Sequence, residues 1–138
     1  MRQASGTLVV TALRQGLHLI TDAVAAWVAE QGLEEGLLTL FMRHTSASLL
    51  IQENAAPAAR SDLERFLARI APESRDYEHD DEGPDDMPAH LRSALTATSL
   101  SIPVASGRMR LGTWQGIYLC EHRHRPTARE LAVHLIGQ

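Results

Sequence analysis

The chain has 138 residues, 44% of them apolar, enough for one packed core and too few for two comfortable ones. Its formal net charge of −4 includes thirteen basic residues, all of them arginine, so Schiff-base chemistry, pyridoxal phosphate attachment and the Walker-type phosphate lysine are excluded for want of an ε-amine. The single cysteine, Cys120, excludes an internal disulfide framework or a multi-cysteine zinc site and points to a reducing compartment.

In chain order, Gly6–Ala12 and His18–Ile20 read as strands separated by a turn at Gln15–Gly16. Thr21 offers an N-cap oxygen to a helix over Asp22–Gln31, where Val24, Trp27 and Val28 recur at helical spacing and Gly32 suits a left-handed stop. Strands follow at Leu37–Arg43 and Ser48–Glu53. Pro57 then opens a helix with Leu63, Phe66, Leu67 and Ile70 on one face, closed by Ala71–Pro72. A structureless acidic stretch comes next. From Glu73 to Asp86 eight carboxylates face one arginine, Arg75, a local charge of −7. The rest of the chain is only mildly basic and has no basic stripe, so nucleic-acid binding is not expected. Pro88 opens a third helix running to Leu95, and Leu100–Val104, Arg108–Leu111, Ile117–Glu121 and Glu130–Ile136 supply the last strands. The expected architecture is one α+β domain over residues 1–138, with an antiparallel or mixed sheet and about three helices. The longest apolar runs, near Leu8–Leu13 and Ala23–Ala29, fall far short of the roughly 20 residues of a membrane span. The N-terminus carries no basic-then-apolar signal pattern, so a soluble, cytoplasmic protein without membrane partners is expected.

Seven histidines hold the most chemical interest, and no short metal motif links them. His122 and His124 lie two apart on a strand-like segment, but Arg123 and Arg125 beside them disfavour a cation. His18 and His134 sit within apolar strand patterns, where a backbone partner satisfies an imidazole. His44 ends an apolar strand, His79 lies in the acidic stretch, and His90 falls early in a helix, where the dipole keeps imidazole neutral. These three either share a metal site, or His44 bonds its own turn while His79 and His90 are solvated neighbours of carboxylates.

Three segments carry a resemblance. They are His44-Thr45-Ser46-Ala47-Ser48-Leu49-Leu50-Ile51-Gln52-Glu53-Asn54, Asp80-Asp81-Glu82-Gly83-Pro84-Asp85-Asp86-Met87-Pro88-Ala89-His90, and Leu111-Gly112-Thr113-Trp114-Gln115-Gly116-Ile117-Tyr118-Leu119-Cys120-Glu121. Together, and with the rest of the chain in order, they resemble the YjbQ family, which is associated with a secondary thiamine-phosphate synthase activity. The resemblance implies a compact α+β subunit that forms a homotrimer, with a histidine-lined pocket near a subunit boundary. It implies His44, His79 and His90 as ligands of a divalent metal, zinc first among several that three imidazoles accept. Glu53, Asn54, Gln115 and Glu121 are then expected in the polar rim, with Glu53 or Glu121 transferring protons. Ser46, Asn54, Arg108 and Trp114 are the expected contacts to a small-molecule substrate, and Arg43, Arg92 and Arg110 are further basic groups near the motifs. This chain departs from the family pattern at Ala55-Ala56, where relatives carry an acidic residue, and at Ala97, where a glycine is frequent. The implied reaction is attack of a thiazole phosphate on a pyrimidine methyl pyrophosphate. Alternatives are metal-assisted hydrolysis of one small metabolite, or a trimeric ligand-binding or metal-binding module without turnover.

Overall fold

A computed structural model describes all 138 residues. Eight strands and three helices follow in the order β1 (Arg2–Thr11), β2 (Gly16–Leu19), α1 (Thr21–Gln31), β3 (Gly36–Met42), β4 (Ala47–Glu53), α2 (Pro57–Ile70), α3 (Asp86–Leu95), β5 (Ser99–Ala105), β6 (Arg108–Met109), β7 (Gln115–Glu121) and β8 (Ala128–Gly137). The strands form two antiparallel sheets rather than one, a five-stranded sheet ordered β1-β8-β3-β5-β6 and a three-stranded sheet ordered β2-β7-β4.

Alternation along the strands explains how the sheets meet. Leu38, Leu40 and Met42 of β3, and Leu131, Val133 and Leu135 of β8, point inward at every second position and are fully buried. They share one core with Leu49 of β4, Ile117 and Leu119 of β7, and Val24 and Val28 of α1. Each such side chain contributes about 1.5–3 kcal/mol by leaving water. The run Ile117–Cys120 does not alternate because β7 is covered on both faces. Its other face puts Tyr118 and Cys120 with Leu17 into a second cluster, against which Leu50 of β4 and Leu63 of α2 pack.

Several boundaries differ from the expectation, each for a local reason. The first strand starts at Arg2 because β1 pairs with β8 along its whole length, Arg2 opposite Gly137 through Thr11 opposite Ala128. Helix α1 begins at Thr21 itself, with no side-chain cap; the Thr21 hydroxyl instead accepts the Ile117 N–H at 2.9 Å, tying the helix to β7. Gly32 ends α1 in the left-handed conformation, as its position suggested (φ 65°). Strand β6 shrinks to two residues, and α3 starts two residues before Pro88. The segment between α2 and α3 has neither helix nor strand, in line with its composition.

Candidate functional site

The early start of α3 matters most for chemistry. With Asp86 as its first residue, Asp86 and His90 stand one turn apart on the same face. Asp86 is almost fully buried, and its Oδ2 lies 3.0 Å from His79 Nε2 and 3.3 Å from His90 Nε2. The imidazole centroids are 5.7 Å apart. One ligand atom from each of His79, Asp86 and His90 lies within 4.8 Å of the others. Hydrogen bonding to Asp86 comes first among the causes that raise the His79 pKa above 6.5, followed by burial acting the opposite way and by the charges of Asp81, Asp86 and Glu82.

Arg123 orients the cluster from behind. It donates from Nη1 to Asp86 Oδ1 at 2.6 Å, from Nε to Asp85 Oδ2 at 3.1 Å and from Nη2 to the Glu82 carbonyl at 3.0 Å. Burial alone would raise the Asp85 pKa, but the His124 N–H and the Arg123 guanidinium outweigh it and hold the carboxyl below its usual value. The acidic stretch is therefore pinned to the segment after β7 by a shared arginine.

His90 also lines an open groove of about 890 Å³ with His44, Thr45, Ser46, Ser93 and Thr98. His44 faces this groove from the end of β3 and is not among the three clustered side chains. Its Nε2 accepts the Glu130 N–H at 2.8 Å, so the neutral ring carries its proton on Nδ1. Burial first, then Arg129, lowers the His44 pKa and keeps the ring neutral. The side chain that stands with His79 and His90 is Asp86 rather than His44. An Asp-x-x-x-His spacing signals that pair, but only once the helix is known to include Asp86.

The remaining expected residues are dispersed. Glu121 is fully buried, its Oε1 bound to Arg129 Nε at 2.8 Å and its Oε2 to Arg129 Nη2 at 2.5 Å and the Arg123 N–H at 3.1 Å. Both oxygens are engaged, which makes Glu121 the anchor of the segment carrying Arg123. Ser46 does reach the groove, its Oγ accepting from Arg129 Nη1 at 3.0 Å, so its own proton is free to donate. Glu53 is paired with Gln115 in the same ladder that pairs Ala47 with Glu121. Six residues separate the two pairs, about 20 Å at roughly 3.3 Å per residue. Glu53, Asn54, Trp114 and Gln115 thus gather at the far end of the small sheet, where Asn54 Nδ2 donates to the Gln115 carbonyl at 3.3 Å and Trp114 is 64% exposed. Arg108 lies apart from both groups, on edge strand β6 of the larger sheet. Within one chain none of these five residues meets the imidazoles.

A buried polar chain that the sequence did not suggest runs beneath the groove. Thr96 Oγ1 donates to the Arg92 carbonyl at 2.9 Å, so its lone pair accepts from Ser48 Oγ at 2.5 Å. Ser48, its one proton used, must accept from His122 Nε2 at 2.8 Å. Burial, then the charges of Arg92 and Arg129, push the His122 pKa down to about 3, so the ring is neutral and its Nδ1 carries a bare lone pair. Burial likewise pushes the Cys120 thiol up to about 12, leaving it inert. His122 is thus an interior histidine despite the arginine that follows it.

A family model described as UPF0047 protein YjbQ-like matches residues 6–138. A UPF0047 protein of Synechocystis sp. is 51% identical over 138 residues, covering 99% of this chain and 94% of that one. The UPF0047 protein YjbQ of Escherichia coli O157:H7 is 46% identical over 133 residues, 96% of each chain. Among solved structures, a YbjQ-like protein of unknown function from Sulfolobus solfataricus superposes with a TM-score of 0.91 at 25% identity, covering 99% of both chains. A conserved hypothetical protein from Thermus thermophilus gives 0.84 at 37% identity, covering 95% of this chain and 99% of that one.

Proposed function

This chain belongs to the UPF0047 family of YjbQ-like proteins, and from that premise we propose that His79, Asp86 and His90 form a divalent-cation site serving a small phosphorylated metabolite in the adjoining groove. The observation that carries the reading is the approach of three ligand atoms to within 4.8 Å at the wall of a groove of about 890 Å³. The donors suit the group: two imidazole nitrogens and a carboxylate oxygen are a set that zinc accepts while keeping a position open. Arg123 orients Asp86 from the opposite oxygen, as outer partners of metal-binding carboxylates do. A cation held there would polarise a phosphate oxygen as a Lewis acid.

The chain's own groups fit an anionic substrate. His44 Nδ1–H and the Ser46 hydroxyl are donors on the groove wall, joined by the hydroxyls of Thr45 and Thr98. Such donors bind phosphate oxygens and carry no proton away. Charge favours one phosphorylated substrate over two. Arg43, the groove's one lining arginine, is paired with Glu130 at 3.0 Å, and Arg129 behind it is paired with Glu121. Metal-assisted hydrolysis of a single metabolite is therefore the preferred reaction. Thiamine-phosphate formation, implied by the resemblance, is the second reading.

The homotrimer belongs to the same proposal. Leu37 and Ile136 pair across the outer face of the larger sheet and are exposed, as is Phe41, an apolar strip available to another copy. Only another copy can bring Glu53, Asn54, Trp114, Gln115 or Arg108 to a groove they cannot reach in their own chain. No helix is long and apolar enough to cross a membrane.

The test supplies zinc-loaded protein with a panel of phosphate esters singly, then with the pyrimidine pyrophosphate and thiazole phosphate together. Phosphate release from one ester, lost in Asp86→Asn, is expected. Product only from the pair transfers the assignment to the synthase, and no product in either arm leaves a binding module and refutes turnover.

A further inference from the structure

A second cavity, of about 180 Å³, lies between the β1–β2 turn, α2 and the end of β7, and includes Arg14, Glu64, Arg92 and His122 in its lining. Arg92 is 5% exposed, yet none of the ion pairs in the structure involves it. Its Nε and Nη2 both donate to the Ala71 carbonyl, at 3.1 and 2.9 Å, capping the C-terminus of α2. That role accounts for two nitrogens; Nη1 has no protein acceptor. Every carboxylate nearby already has its own cation or donor. Glu64 accepts from Leu17 N–H and Arg14, Glu121 is held by Arg129, Glu73 bonds His124, and Asp85 bonds Arg123. A buried guanidinium with no counter-charge in contact is costly: desolvation lowers the Arg92 pKa and outweighs the more distant charges of Glu73, Tyr77 and Asp85. The cavity beside it has room for about six waters at roughly 30 Å³ each, enough for a small tetrahedral ion.

We propose that this cavity binds a small oxyanion of the phosphate class, gripped by Arg92 Nη1, with Arg14 at the mouth. The anion supplies the missing counter-charge, and the guanidinium fork suits two of its oxygens. His122, whose Nδ1 has a lone pair and no protein donor, complements an anion that retains one proton, such as hydrogen phosphate. The site is separate from the His79–Asp86–His90 cluster and stands whether or not that cluster binds metal.

The experiment uses metal-stripped full-length protein and inorganic phosphate, with sodium chloride and acetate matched for ionic strength. Phosphate at 20 mM should raise Tm by about 5 °C beyond the chloride control, and Asp86→Asn should keep that response. Arg92→Met should weaken phosphate binding at least about tenfold. Arsenate, which like phosphate retains one proton near neutral pH, soaked into wild-type crystals at millimolar concentration, should give an anomalous peak within hydrogen-bond reach of Arg92 Nη1, a readout that does not need the variant to fold. Absence of a phosphate-specific shift, an equal shift with acetate, full retention in Arg92→Met, or no arsenate peak would each overturn the proposal and leave Arg92 a helix cap only.

Discussion

Acidification should destabilise this fold through one interior side chain, His122. The ring is 3% exposed and gives its only protein hydrogen bond to Ser48, so the folded state holds it neutral, with a pKa of about 3 against 6.5 for the free side chain. A pKa lowered by folding means that the stabilising preference for the neutral form is fully present above pH 6.5 and is lost as pH falls from there towards 3. At pH 5.0, about 1.5 pH units below the free value, the unfolded chain takes up a proton that the folded chain refuses. At about 1.4 kcal/mol per pH unit this costs roughly 2 kcal/mol relative to pH 7. For a domain of this size that corresponds to about 8 °C in Tm. Carboxylates also titrate in this range, so the measurement is a difference: urea unfolding at pH 7.0 and 5.0 for the wild type and for His122→Gln, in phosphate-free buffer with chelator. The Gln amide can keep the donation to Ser48 but cannot take up a proton. The wild type should lose about 2 kcal/mol more than the variant between the two pH values. Equal losses in the two proteins would refute the interior, neutral assignment of His122.

Three further outcomes follow from the ion-pair geometry. Glu121→Gln leaves Arg129 buried and uncompensated, and should lower stability by about 3–5 kcal/mol in denaturant titrations; a catalytic defect without loss of stability would restore Glu121 to the chemistry. Arg123→Gln frees the rear oxygen of Asp86 and should weaken zinc binding about tenfold to a hundredfold by competition with a chromophoric chelator. His44→Gln should leave zinc stoichiometry unchanged while raising KM for the phosphorylated substrate, and loss of bound zinc in that variant would put His44 back among the ligands.

Element types were legible because the apolar periods are clean: β8 alternates from Arg129 to Gly137, and the α2 limits follow from Pro57 and Ala71-Pro72. Division into two sheets was not, since it depends on which strand pairs with which, and a strand like β7, buried on both faces, has the same sequence pattern in either arrangement. His79 and His90 were legible as a pair near a carboxylate-rich loop. Asp86 was hidden among eight acidic residues, and only the position of the first helical turn separates it from its neighbours. The interior position of His122 was hidden by its neighbours: Arg123 and Arg125 fit a solvated end of the strand, whereas Arg129, eight residues after Glu121, returns along β8 to pair with Glu121. Such closures join residues distant in sequence, and local spacing does not encode them.

The cation site is most directly tested by metal analysis of freshly purified protein after zinc supplementation and dialysis, alongside His79→Ala, Asp86→Asn and His90→Ala. About one zinc per wild-type chain and a large loss in each variant are expected, with folding of every protein verified by circular dichroism. Fewer than about a tenth of wild-type chains carrying metal, or full retention in any correctly folded variant, would contradict the site.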